Sequence, residues 1–335
     1  MSLSGTHPVR DWADASVLVT GAQGFVGSWL AERLVEQGAK VVVPRRDFEP
    51  ESRFRSGGIE ERCTVVAADV TDYESLLRII NEHEVRAVFH LAAQTIVGTA
   101  NRSPLSTFES NVRGTYVLLE ACRAAGVVGS GIEAVVVASS DKAYGDHDEL
   151  PYREDFPLQP RYPYDVSKAC ADMIARSYAV TYGLPVAVTR LANVYGGGDL
   201  NWSRVVPDTA RALVKGDRPV VRSDGTPERD YLYVEDAVDA YLTVAASLSR
   251  DELRGRAWNA GWGSPVSVLE VVGRLVAAAG SEAEPDVQGE GTPHGEIDRQ
   301  FLDSTAIREE LGWEPKVELD DGLARAWEWY SAHLG

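Results

Sequence analysis

The chain has 335 residues, enough to bury a large core and to form one nucleotide-binding domain with a smaller second one. Acidic residues outnumber basic ones 51 to 33, a net charge of −18, which argues against nucleic acid or an anionic membrane as partner because a phosphate surface needs a basic face. Cys63, Cys122 and Cys170 lie far apart without metal-ligand spacing, Met1 to Asp14 lacks an apolar signal core, and no run reaches the roughly 20 residues of a membrane span. These features predict reduced thiols, no bound metal and a cytoplasmic protein.

Strand and helix patterns then alternate. Ser16–Thr20 is a short β-branched apolar run that reads as a buried first strand, and the residues after Gly27 carry apolar positions at helical spacing. Between them stand Gly21, Gln23, Gly24, Phe25, Val26 and Gly27. Gly21 permits a tight turn, Gly24 lets backbone N–H groups approach a pyrophosphate, and Gly27 lets helix and strand pack closely. Strands follow at Ala39–Val43, Cys63–Ala68, Arg86–Leu91, Glu133–Ala138 and Pro185–Leu191, with helices at Tyr73–Glu82, Pro104–Ala125 and Tyr164–Tyr182. Such alternation predicts an α/β fold, a doubly wound parallel sheet with ligands outside the carboxyl ends of its strands. From about Tyr195 the pattern breaks into glycine-rich loops and short elements. The expected division is therefore a Rossmann domain over 1–194 and a smaller α/β substrate-binding domain over 195–335, whose segments can interleave. Gly280–Asp298 reads as an exposed loop.

Tyr164 and Lys168 are four apart, so on a helix they share a face. A phenol ionises near ~10. A neighbouring ammonium favours the phenolate and makes it a usable base for a sugar hydroxyl. A nicotinamide held by the glycine turn would take up the hydrogen, and together the two motifs describe alcohol oxidation. At the end of strand two, an acidic residue normally serves the ribose of NAD, whereas an arginine accommodates the 2′-phosphate of NADP. Arg45 and Arg46 favour NADP; Asp47 keeps NAD open.

Thr20–Gly27, Asp69-Val70, His90-Leu91-Ala92-Ala93, Asn111, Ser139-Ser140, Tyr164 with Lys168, Asn193–Gly196 and Gly312-Trp313-Glu314-Pro315 together resemble the extended short-chain dehydrogenase/reductase superfamily. More narrowly they resemble its nucleotide-sugar epimerase/dehydratase branch. That resemblance implies Tyr164 as catalytic base, Lys168 on the nicotinamide ribose, and Ser140 on the sugar hydroxyl. It places Asp69 and Val70 near the adenine, with Leu91, Ala92, Ala93 and Asn111 also on the cofactor. Gln94, Asn193, Arg204, Val205, Arg229 and Arg299 become substrate contacts, the arginines answering the charge of a nucleotide diphosphate.

Within the branch an epimerase inverts C4, whereas a 4,6-dehydratase eliminates water across C5 and C6. Elimination needs an acid near the C6 hydroxyl and a base near C5–H. Epimerases of the group carry small, non-ionisable residues after the active-site serine, but here Asp141 and Lys142 follow Ser140. The Ser-Asp-Lys run is similar to CDP-glucose 4,6-dehydratases, and Arg45-Arg46 to the NADP segment of GDP-mannose 4,6-dehydratases. A nucleotide-diphosphosugar 4,6-dehydratase is expected, with Asp141 as acid and Lys142 as candidate base. The segment Gly225–Tyr231 follows the general branch pattern and leaves the base open. A 4-epimerase is the second reading, and a non-catalytic NAD(P)-binding regulator the third. Relatives pair the helices at Pro104–Ala125 and Asp165–Tyr182 in a four-helix bundle, which implies a homodimer.

Overall fold

Val17 and Val19 enter one apolar core while Leu18 between them enters another, so the first strand is buried on both faces. That double burial is what a continuous β-branched run demands, and it repeats in the seven-stranded sheet except at one edge strand, Thr64–Ala67, which has no buried residue. In the computed structural model, which describes residues 11–128, 131–291 and 297–335, the sheet contains β1 (Ser16–Thr20), β2 (Lys40–Arg45), β3 (Thr64–Ala67), β4 (Ala87–His90), β5 (Ala134–Ala138) and β6 (Val186–Leu191). Its last strand comes from far down the chain, and every pairing is parallel. The order places β1 between β2 and β4, so successive crossovers leave β1 in opposite directions and a crevice opens at its carboxyl end.

The remaining strands are β7 (Asn193–Tyr195), β8 (Val220–Val221), β9 (Glu228–Tyr233), β10 (Ala257–Ala260), β11 (Pro265–Ser267), β12 (Asp286–Val287) and β13 (Arg299–Gln300). Strands β7, β9, β11 and β13 form a small sheet, and β8 pairs with β12. The segment 195–335 contributes to both lobes. Strand β10 extends the large sheet beside β6, and the helix Val234–Ser247 packs against β5 and β6. No helix among the described residues is long and apolar enough to cross a membrane.

Two expectations need correction. The single helix foreseen over Pro104–Ala125 is three pieces, Pro104–Phe108, a wide turn with π-type hydrogen bonding at Glu109–Arg113, and Gly114–Val128. Asn111 sits in that wide turn and its amide pairs with the Gln94 backbone in both directions, at 2.7 and 3.0 Å. The foreseen loop Gly280–Asp298 contains β12, because the Asp286 and Gln288 N–H groups pair with Pro219 and Val221. Its residues 292–296, and residues 1–10 of the amino-terminal stretch, lie outside the described residues.

Candidate active site

The glycine turn is built by exclusion. Gly21 has φ +75°, and a Cβ there would lie 2.7 Å from the Ala92 nitrogen; at Gly27 it would lie 2.2 Å from the Gly21 carbonyl oxygen. Gly24 is the N-cap of the helix Phe25–Glu36 and has no side chain to satisfy the first N–H groups, while Phe25 and Val26 anchor its first turn in the core. A dinucleotide pyrophosphate fits this bare helix end, where N–H groups and the positive end of the helix dipole face an anion. The Gln23 amide donates to the Asp47 carbonyl at 2.8 Å and so ties the turn to the loop after β2. Arg45, the last residue of β2, pairs with Glu60 at 2.5 Å, and in the loop Arg46 reaches Asp47 at 2.6 Å and Asp69 at 3.8 Å. Asp69 also accepts from the Thr71 N–H and hydroxyl, and Val70 packs where a side chain on Gly114 would otherwise stand.

A buried chain that the sequence did not disclose joins this turn to the helix that carries Tyr164 and Lys168. Thr115 gives its only hydroxyl proton to the Asn111 carbonyl (2.6 Å), so it accepts from His90 Nε2 at 3.1 Å. His90 Nδ1 then accepts from Thr20 (2.8 Å), whose hydroxyl in turn accepts the Ala92 N–H (3.1 Å). Burial, with Lys168 nearby, lowers the imidazole to about 3, so it stays neutral in this role. Leu91 and Ala93 flank Ala92 in the strand-end segment, and Asn111 donates onward to Ser167 at 2.8 Å, whose hydroxyl bonds the Tyr164 carbonyl. Gln94 turns its own amide back onto the Ile96 backbone.

The helix Pro163–Tyr182 carries Tyr164 and Lys168 toward the end of β5. The expected depression of the Tyr164 pKa by Lys168 is not what the geometry gives. The Lys168 ammonium donates to the Ala138 carbonyl at 2.9 Å, and burial lowers it to about 8. Burial pushes the Tyr164 phenol up to about 12, with Asp141 and Asp165 adding to the rise, and the cation that opposes them is Arg204. Arg204, at the N-cap of the helix Val205–Val214, is held by the Val194 carbonyl (3.2 Å) and by Asp199 (3.0 Å).

Ser140 caps a 3₁₀ turn over Asp141–Tyr144, which also carries the half-buried Lys142. Its hydroxyl lies between the Tyr164 phenol and Asp141 Oδ1, 2.9 Å from the latter. Asp141 is buried and its Oδ2 has no hydrogen-bond partner. Burial raises its pKa, against the pull of Lys142, Ser140 and Arg229. Arg229 on β9 is itself buried and donates to the Glu228 and Asp298 carbonyls. The structure therefore gathers Tyr164, Ser140, Asp141, Arg204 and Arg229, with Asn193 half-buried on β7 nearby in sequence to Arg204. Arg299 is apart: it pairs with Glu228 at 2.5 Å and lies over Phe301, and no interaction joins it to Asp141 or Tyr164 among the described residues.

Asp230, beside Arg229, was not anticipated either. Its fully buried carboxyl accepts N–H groups of Trp262, Gly263 and Leu302 at 2.9–3.3 Å, and burial raises it to about 7. An acidic residue next to an expected phosphate-binding arginine was the only signal available.

A half-buried hydroxyl and phenol with a buried carboxyl, beside a dinucleotide cradle, suit oxidation of a sugar alcohol followed by acid-base chemistry. The GDP-mannose 4,6 dehydratase family matches residues 18–326. The chain is 31% identical to a CDP-glucose 4,6-dehydratase of Salmonella typhimurium, covering 96% of this chain and 92% of that one. It is 32% identical to a UDP-glucose 4-epimerase of Mycolicibacterium smegmatis, covering 93% and 97%. The solved dTDP-glucose 4,6-dehydratase DesIV of Streptomyces venezuelae, with NAD and TYD bound, superposes with a TM-score of 0.83 at 30% identity, over 94% of this chain and 96% of that one. The chain belongs to the GDP-mannose 4,6 dehydratase family, within the nucleotide-sugar dehydratase and epimerase branch of the extended short-chain dehydrogenases/reductases.

Proposed function

We propose that the protein is a nucleotide-diphosphosugar 4,6-dehydratase that forms a 4-keto-6-deoxyhexose. The observation that carries the reading is Asp141: buried, bonded to Ser140 through one oxygen, free of partners at the other, and shifted toward its protonated form. An epimerase has no use for a carboxylic acid at that place.

When bound, the nicotinamide supplies the acceptor for the C4 hydrogen and the donor that returns it at C6. Tyr164 takes the proton of the 4-hydroxyl while Ser140 orients that hydroxyl. The resulting ketone acidifies C5–H, and Lys142 is the candidate base that removes this proton. Asp141 gives its proton to the C6 hydroxyl, which leaves as water, and the proton held by Lys142 returns to C5 as hydrogen is delivered to C6. Arg204 and Arg229 hold the substrate, and Arg204 also favours the Tyr164 phenolate.

NADP is the proposed cofactor. Arg46 lies across the end of β2 between two carboxylates, and a 2′-phosphate would compete with Asp47 for it. Equilibrium titration should show 2′,5′-ADP binding more tightly than 5′-ADP, with the preference lost in Arg46→Ala. Equal binding of the two would favour NAD. A homodimer is proposed through the helices Pro104–Phe108 and Pro163–Tyr182, which expose Leu105, Met173, Val180 and Tyr182. The dehydratase reading is tested by incubating the protein with CDP-, GDP-, UDP- and dTDP-hexoses and following loss of one water by mass spectrometry.

A further inference from the structure

Beneath the site lies a buried polar network to which neither the dehydratase chemistry nor the fold assigns a task. Arg190 on β6 is 1% exposed and Asp172 0%, and they meet in a two-point pair at 2.8 and 3.1 Å. Asp172 lies roughly two turns along the same helix from Tyr164. The guanidinium fork has donors to spare, and Arg190 Nη1 also donates to the Tyr144 hydroxyl at 2.8 Å. It further reaches the Glu154 carbonyl at 3.3 Å and lies over the Tyr144 ring at 4.8 Å. Tyr144 passes its own proton to Asn259 Oδ1 at 2.7 Å. Asn259, on β10, is fixed in turn by the Tyr152 and Asp303 carbonyls and by Glu154.

We propose that Arg190, Asp172 and Tyr144 are positioning residues that set where Asp141 stands relative to Tyr164. Tyr144 closes the single 3₁₀ turn that begins at Asp141, so residues one turn apart move together. The path from Tyr164 along its helix to Asp172, across Arg190 to Tyr144, and back through the turn to Asp141 is joined at every step by a hydrogen bond or by the backbone of one element. A dehydratase needs this linkage because its oxidising and eliminating groups must serve one sugar in one pose. A displacement of about 1 Å is enough to cost on the order of a hundredfold in rate. An isolated buried ion pair would have held the helix to β6 without any bond to the turn. The third contact, on Tyr144, is what connects the pair to Asp141.

This inference rests on the dehydratase reading, and its test separates the two. Tyr144→Phe removes one hydroxyl and leaves the ring packed against Tyr152. Acid-quenched single turnovers on a nucleotide-hexose that the wild type dehydrates are resolved by mass spectrometry into three species: substrate, 4-ketohexose and 4-keto-6-deoxyhexose. The expected result is near-normal C4 oxidation with water loss slowed on the order of tenfold to a hundredfold, so that 4-ketohexose accumulates. Asp172→Asn, which perturbs the same path from the helix side, should give the same split if it folds. Oxidation and water loss slowed by one common factor, or neither slowed, would overturn the positioning role while leaving the dehydratase reading intact. A wild-type protein that dehydrates none of the four nucleotide-hexoses would remove that reading and this proposal with it.

Discussion

At the scale of single residues, the proposed chemistry depends on Tyr164 and Asp141, and burial raises the pKa of both. Tyr164→Phe should lower turnover by about a hundredfold to ten-thousandfold, the usual worth of a positioned acid or base, with the melting temperature little changed. Asp141→Asn should retain C4 oxidation and lose water elimination, because an amide cannot donate the acid proton. The pH dependence has a sign as well. Phenolate formation at Tyr164 improves as pH rises, whereas Asp141 must stay protonated, so in single turnovers oxidation should gain and water loss should fade as pH increases. Asp230 affects stability instead. Its folded pKa of about 7 stands above the ordinary 3.8, so its stabilising contribution is full below about 4 and is lost as pH rises through about 7. A melting curve series across that range should show the decline in the wild type and a flatter profile in Asp230→Asn. The residue types at 140–142, 164 and 168 were legible because their spacing is local. The charges acting on them were not, since Arg204 and Arg229 reach the site through the tertiary fold, and the Lys168 ammonium turns to a backbone carbonyl.

Among elements, the turn from β1 into the helix Phe25–Glu36 tolerates no added volume. Gly27→Ala would press a Cβ against the Gly21 carbonyl, and overpacking of a backbone contact costs about 1–3 kcal/mol. Chemical denaturation should report that loss, and cofactor titration should show weaker binding because the N–H groups that face the pyrophosphate must shift. The first six strands could be read from sequence to within a residue or two, from their short apolar, mostly β-branched runs. The wide turn at Glu109–Arg113 could not. Its cause is the pairing of the Asn111 amide with the Gln94 backbone, a contact between segments 17 positions apart that helical periodicity does not encode. The same applies to β12, a strand of two residues that exists only because β8 lies beside it.

For the whole molecule, the parallel sheet order and the return of β10 to its edge bring the glycine turn and the small sheet's lobe together in one chain. The expected division after residue 194 falls inside β7, the first strand of the small sheet, and the return of Ala257–Ala260 to the large sheet was not legible, because a four-residue strand carries no sign of its partner. On the outer surface, Leu105, Met173 and Val180 stand 72%, 53% and 85% exposed on the two helices proposed to pair with a second copy. Leu105→Glu combined with Met173→Glu should convert a dimer to a monomer in sedimentation experiments; an unchanged sedimentation coefficient would place the interface elsewhere. The central claim concerns the reaction, and mass spectrometry of the protein incubated with CDP-, GDP-, UDP- and dTDP-hexoses tests it most directly. The account expects one of them to lose a water and gain a 4-keto group. A product of unchanged mass and altered chromatographic position would contradict it and establish a 4-epimerase.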